Sequence, residues 1–277
     1  LQIIRGFIGQ EAFFTNVPYD VFSLTLSFFF LQSTFFSKNP TLNGPGWSVS
    51  AEIIMYILFY FLVKKTRKNI LYFLATSGAL VFLGIYTVLR NIDIPPLGAT
   101  TTGRALIGFF MGCILYFLNQ FYVKLDHKKK KIILSLLMSW MLIVITLGIK
   151  FGSSIYGELS PFYSICIYSP LIFLAVNFRA LRKFLSLKPF RTLGDASYAI
   201  YLLNFPLLIL INTMTSVFDI QLNFYSKKIF LLHLVALVAL SIIVHNFFEK
   251  PITYKLKNWL ISINHKKIVR KLNISIK

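Results

Sequence analysis

The stretch Gly44-Pro45-Gly46-Trp47-Ser48-Val49-Ser50-Ala51-Glu52-Ile53-Ile54-Met55-Tyr56-Ile57-Leu58-Phe59-Tyr60-Phe61-Leu62-Val63-Lys64-Lys65 decides the fold class. From Trp47 to Val63 only Glu52 carries a charge, and a basic pair closes the run. A helix that crosses a bilayer needs about 20 mostly apolar residues, and this segment supplies them. Ser48, Glu52, Tyr56 and Tyr60 recur every four residues, which puts them on one helical face. A carboxylate in such a place must be paired, protonated or lined by water. It serves either as an acid in a substrate cavity or as half of a structural ion pair. The plainer alternative is a polar helix end that helps the bundle pack.

Similar runs fill the rest of the chain. Segments at roughly 19–36, 47–63, 70–89, 104–122, 132–149, 161–177, 197–217 and 229–248 give about eight expected spans in an all-α bundle. Composition agrees, with 56% hydrophobic residues, only 14% charged and a mean hydropathy of +0.70. Soluble domains are nearer a quarter charged. Cys113 and Cys166 lie inside apolar segments with no metal-binding or redox spacing, and no metal site is expected. No GxSxG, HExxH or Walker sequence occurs.

The net charge of +20 does not imply nucleic acid, because the basic residues sit in short loops and the tail. One set holds Arg5, the cluster Lys64 to Lys68, Lys124 with Lys128 to Lys131, the cluster Arg179 to Arg191, and the tail from Lys250. The other holds Lys38, Arg90, Arg104, Lys150, Lys227 and Lys228. The 29 Lys and Arg residues divide 23 against 6 between them and alternate from loop to loop. Cytoplasmic loops carry the excess, so both termini are expected inside, next to anionic membrane lipids. Residues 1–250 read as one bundle and 251–277 as a basic cytoplasmic tail, either amphipathic in the headgroup layer or solvated.

Two further stripes are polar. Arg104 precedes Gly108 and Gly112, a GxxxG step that would let another helix approach closely. Arg104 itself could bind an anion, pair with Glu52 or reach to the interface. In Leu193-Gly194-Asp195-Ala196-Ser197-Tyr198-Ala199-Ile200-Tyr201-Leu202-Leu203-Asn204-Phe205-Pro206, Asp195 or Ser197 is expected to cap the helix. Pro206 is expected to distort it. The four histidines are poor catalysts by position: His127 and His265 sit in basic loops, and His233 and His245 lie in the last apolar run. His245 stands four residues before Glu249, on its face.

These stretches, in this order, resemble the acyltransferase-3 family of bacterial membrane acyltransferases. A Trp-Ser-Leu-Ser-Val-Glu-like opening of a span is matched by Trp47-Ser48-Val49-Ser50-Ala51-Glu52. An Arg before a Phe/Gly-rich helix is matched by Arg104 to Gly112. A Gly-x-x-Ser-Tyr-x-x-Tyr-Leu-x-His-x-Pro-like stretch is matched by Gly194, Ser197-Tyr198, Tyr201-Leu202, Asn204 and Pro206. A closing Glu-Lys-Pro is Glu249-Lys250-Pro251. The resemblance implies an O-acyltransferase of the inner membrane, moving an acyl group, commonly acetyl from acetyl-CoA, to a sugar hydroxyl of a cell-surface glycan. No bound cofactor is expected. Trp47, Ser48, Glu52, Tyr56, Arg104, Tyr198, Tyr201 and Asn204 are the implied substrate-binding residues.

Two departures shape the expectation. Asn204 stands where the family has His, and an amide cannot serve as a general base. The family's early spans, with their Arg and His, have no counterpart before Trp47, and the chain opens Leu1-Gln2-Ile3 rather than with Met. The expectation is an N-terminally truncated chain whose catalytic His lies upstream and which is inactive alone. The rival reading is a transporter of glycan-lipid or ions, or a silent membrane partner, although no internal repeat supports it.

Overall fold

The structure, a computed structural model, describes residues 21–31, 45–66, 69–90, 99–155, 164–220 and 226–274. Among them there is no strand. The helices are α1 (Val21–Phe28), α2 (Gly46–Thr66), α3 (Ile70–Arg90), α4 (Ala99–Val123), α5 (His127–Ile155), α6 (Ser169–Asn177), α7 (Arg179–Leu185), α8 (Lys188–Asp195), α9 (Ser197–Val217), α10 (Lys227–Val244) and α11 (Lys250–Ile274). Single π-helical turns, Ser164–Tyr168 and His245–Glu249, lead into α6 and join α10 to α11. These residues form two compact units, one ending at Leu187 and one beginning at Lys188.

Among the described residues, six helical segments are long and apolar enough to cross a membrane: Gly46–Thr66, Ile70–Arg90, Thr102–Val123, His127–Leu147, Ser197–Val217 and Lys227–Ser262. Their large apolar side chains face outward, among them Phe82, Leu142 and Phe230, at 71%, 66% and 64% exposure. Water would not tolerate such surfaces, and a bilayer does. The chain is therefore a multi-pass membrane protein.

Two expected spans differ. The sixth, 161–177, is the first half of a bent pair, Ile165–Asn177 and Arg179–Leu185, which meet at 90°. Phe178 is the hinge, with extended backbone (φ −84°, ψ 111°). The first, 19–36, is described only in part. There α1 stops after eight residues. The amide of Leu31 reaches the carbonyl of Leu26 at 2.8 Å and that of Phe30 reaches Ser27 at 3.2 Å, with Phe30 left-handed at φ 55°. That is the Schellman closure of a helix, built here without glycine. The hydroxyl of Ser50 in α2 donates to the Phe30 carbonyl and holds this end.

In the first unit, Ala51, Met55, Val81, Leu106 and Phe110 form the buried core where α2, α3 and α4 meet. Lipid supplies no hydrophobic force between helices, so close packing and interhelical hydrogen bonds must hold them. The closest approach joins α3 to α4. A Cβ on Gly84 would stand 2.8 Å from the carbonyl oxygen of Gly103 and 2.9 Å from Ile107 Cγ1. Among the described residues the GxxxG step is not a close crossing, because Cβ atoms on Gly108 or Gly112 would meet none of them within 4 Å. Further along, Asn177 Nδ2 of α6 donates to Asn119 Oδ1 of α4 at 2.8 Å. Trp140 Nε1 of α5 donates to the Cys166 carbonyl at 2.9 Å.

In the second unit, α8 leads into α9, which packs against α10. The cap of α9 is Ala196, with no side-chain cap hydrogen bond, rather than Asp195 or Ser197. Pro206 is carried inside a helix that continues to Val217, so the expected distortion does not end it. The helix closes at Asp219, again left-handed at φ 52°, with the Ile220 amide on the Thr215 carbonyl at 2.8 Å. On α10, Leu237 and Ser241 are buried and stand four and eight residues beyond His233, on its face.

Candidate functional site

The polar face of α2 keeps its predicted register. Tyr56 Oη donates to the Glu52 carboxylate at 2.6 Å, one helical turn apart. The short distance marks a charge-assisted bond. The ring of Tyr56 meets Phe109 of α4 edge-on at 5.5 Å, Phe109 meets Phe59 at 5.7 Å, and Phe59 meets Phe73 of α3 at 6.2 Å. Phe73 in turn lies 5.3 Å from Phe117. This aromatic seam floors a cleft of about 720 Å³ between α2, α3 and α4. Phe59, Phe73, Phe109 and Phe117 line it, with Gly112 and Cys113, and Thr66 and Asn69 add polar groups to its wall. Asn69 Oδ1 also accepts from the Tyr72 amide at 3.1 Å, which fixes the start of α3.

Trp47 is half-buried beside this face, and the Ser48 hydroxyl turns back to the Pro45 carbonyl at 3.1 Å. Arg104 is exposed, as are Gly108 and Gly112 on its stripe. A direct ion pair of Glu52 with Arg104, one of the readings open for that arginine, is not formed among the described residues. The ion pairs among the described residues are Lys129–Asp126 at 3.9 Å and His245–Glu249 at 2.9 Å. Tyr56 takes the carboxylate because it lies one turn away on the same helix, and a phenol satisfies the anion without a second desolvated charge.

Tyr198, Tyr201 and Asn204 belong to α9 in the second unit. Tyr198 and Tyr201 are exposed at 45% and 42%. Asn204 Oδ1 meets Nε2 of His233, on α10, at 3.0 Å. His245 Nδ1 meets Glu249 Oε2 at 2.9 Å, as their spacing foretold.

Residues 3–245 match the acyltransferase-3 family, described as an acyltransferase domain. The chain belongs to this family. Among curated proteins it is 26% identical over 224 residues to O-acetyltransferase OatA of Staphylococcus aureus strain NCTC 8325 / PS 47. The same identity holds for OatA of strains COL and MRSA252. Each comparison covers 76% of this chain and 36% of the relative, so the chain spans little more than a third of the length of the proteins it matches. No solved structure matches.

Within this acyltransferase-3 chain the motif stretches now have places. The Trp-Ser stretch opens α2 beside the aromatic seam, and the Arg-Phe-Gly stretch lies along α4, whose Phe109 and Gly112 enter the cleft. The Ser-Tyr stretch opens α9, and the Glu-Lys-Pro stretch begins at the π-turn before α11. Sequence reading missed the partner of Asn204. A histidine inside an apolar run was the available signal, since an ionisable side chain at membrane depth is a functional candidate by default.

Proposed function

We propose that the chain is the membrane-embedded acyl-transfer bundle of an O-acetyltransferase, carrying acetyl from acetyl-CoA to a sugar hydroxyl of a cell-surface glycan. The family match and the OatA likeness support the reaction class. The observation that carries the site is the aromatic cleft of the first unit. One part of its seam bears the Glu52–Tyr56 pair, and its wall ends near Thr66 and Asn69, beside Lys64 and Lys65. By loop charge that basic end is cytoplasmic, in a bacterial inner membrane. Apolar walls with few polar groups suit the acyl-bearing arm of a donor, and the flanking lysines attract its phosphates. Glu52, near the opposite end of α2, then faces the acceptor together with Trp47, Ser48 and Tyr56. Arg104 belongs with these residues of the first unit, and in the second unit, taken by itself, Tyr198, Tyr201 and Asn204 are the proposed substrate-binding residues. Residues 251–277 serve as a basic tail held at the inner headgroups.

The test is transfer of radiolabelled acetyl from acetyl-CoA to glycan, in membranes of cells carrying the full coding sequence. Label in glycan that disappears when the gene is deleted supports the reading. Transport of glycan-lipid without label transfer overturns it.

A further inference from the structure

A second cavity of the first unit, of about 400 Å³, lies between α4, α5 and α6. Met111, Leu118 and Leu125 of α4 line it, with Ile133 and Leu137 of α5 and Phe173 of α6. The aromatic cleft uses Phe109, Gly112 and Tyr116 of α4, so the two cavities occupy opposite faces of that helix. Met111 and Leu125 stand about 21 Å apart along the axis at 1.5 Å per residue. Half the hydrocarbon core of a bilayer is about 15 Å. The cavity therefore runs from headgroup level to the middle of the membrane, on the cytoplasmic side by loop charge. The Trp140–Cys166 bond ties α5 to the π-turn at its deep end, and the Tyr122–Phe173 ring contact ties α4 to α6 at its shallow end.

Lys130 stands at the shallow mouth, half-buried. Its ammonium lies 5.9 Å from the centre of the Tyr122 ring and donates to the Val123 carbonyl at 2.8 Å. Ile133 and Leu137, three and seven residues on, share its helical face. An ammonium carries three donors, and the carbonyl takes one of them. Among the described residues no carboxylate pairs with Lys130, since Asp126 meets Lys129 at 3.9 Å. Five lysines between Lys124 and Lys131 stand against that one acid. A half-buried cation at the mouth of an apolar cavity calls for an anion joined to a hydrocarbon chain. An uncharged chain would leave the ammonium unanswered, and a bare anion would leave the apolar wall empty.

We propose that this cavity is a binding site for an anionic glycerophospholipid of the inner leaflet. One acyl chain lies along the wall formed by α4, α5 and α6, and the phosphodiester sits on the remaining protons of Lys130. The site is separate from the acyl-transfer cleft and does not depend on the reading given to that cleft.

The experiment mixes full-length protein in mild detergent with phosphatidylglycerol or phosphatidylcholine of matched chains and follows bound lipid by native mass spectrometry. The wild type should hold phosphatidylglycerol the more tightly. Lys130→Gln should weaken phosphatidylglycerol by about fivefold, the usual worth of one lysine beside an anionic headgroup, and leave phosphatidylcholine unchanged. Lys257→Gln, which removes the same charge from α11, should change neither. Leu118→Trp narrows the cavity and should lower retention of both lipids. In the wild type, phosphatidylglycerol with a photoreactive group at its chain end should label the deep end, at Met111 or Leu137. Labels spread evenly over outward faces such as that of Phe82 would overturn the proposal, even if the variants fail to accumulate. Equal losses in Lys130→Gln and Lys257→Gln would overturn it as well. Displacement of the lipid by inorganic phosphate would mark a site for free anions and overturn the lipid assignment.

Discussion

The carbonyl oxygen of Gly84 lies 2.7 Å from the point that a Cβ on Gly103 would occupy, so α3 and α4 touch backbone to backbone. The Gly84 carbonyl also accepts from Thr87 Oγ1 at 2.9 Å, and that hydroxyl lies 2.7 Å from the same point. Val88 Cγ2 lies closer still, and none of these three obstacles is the far end of a long flexible side chain. Gly103→Ala should therefore push the helices apart, at about 1–3 kcal/mol for overpacking. Thermal melting in detergent and membrane abundance should both fall. Gly108→Ala and Gly112→Ala, with open space around them, should be neutral or gain up to about 1 kcal/mol. Equal losses at all three positions would contradict the assigned crossing.

How much of this was legible in the sequence follows from distance along the chain. Glu52 and Tyr56 stand one turn apart, so periodicity alone places them together. Gly84 and Gly103 contribute one glycine from each of two helices, and a search for GxxxG along a single helix looks past such a pair. Asn204 and His233 are 29 residues apart, and nothing local couples them. The end of α1 was hidden because its left-handed residue is Phe30 rather than glycine, and α7 because Arg179–Leu185 is too short and basic to read as part of a span.

The bond of Tyr56 to Glu52 predicts a specific pattern of coupling. Tyr56→Phe and Glu52→Gln should be non-additive, with an interaction of roughly 0.5–3 kcal/mol in a double-mutant cycle on stability. Glu52→Gln and Arg104→Leu should add, because no ion pair joins them. On function, Glu52→Gln should harm acetyl transfer by the full-length protein more than its membrane abundance. Recovery of abundance in the Glu52→Gln, Arg104→Leu double variant would restore the ion-pair model and sink this one.

Loop charge makes a topological prediction. Reporter fusions after Lys68, Lys131 and Lys188 should read cytoplasmic, and fusions after Lys38, Asp93 and Gly157 external. The fusion after Gly157 is the most informative. It follows α5 and precedes the bent pair α6–α7, so a cytoplasmic signal there would break the alternation on which the orientation rests.

The Asn177–Asn119 bond is a direct side-chain hydrogen bond between α6 and α4, and it tests how that bent pair is held. Polar contacts between membrane helices average about 0.6 kcal/mol and reach about 1.7, because an unfolded helix in lipid also finds partners. This bond is short, at 2.8 Å, and Asn177 Nδ2 also donates to the Phe173 carbonyl at 3.0 Å. The Tyr122 and Phe173 rings pack edge-on at 5.1 Å alongside. Asn119→Leu removes only the acceptor and leaves Asn177 with its second bond, so the loss should stay near the average. Asn177→Leu removes both bonds at the last residue of α6, one position before the Phe178 hinge, and should cost more. In unfolding by denaturant in mixed micelles, the double variant should lose little beyond Asn177→Leu alone. Additive losses would show that the two side chains act separately and that ring packing alone holds α6 to α4.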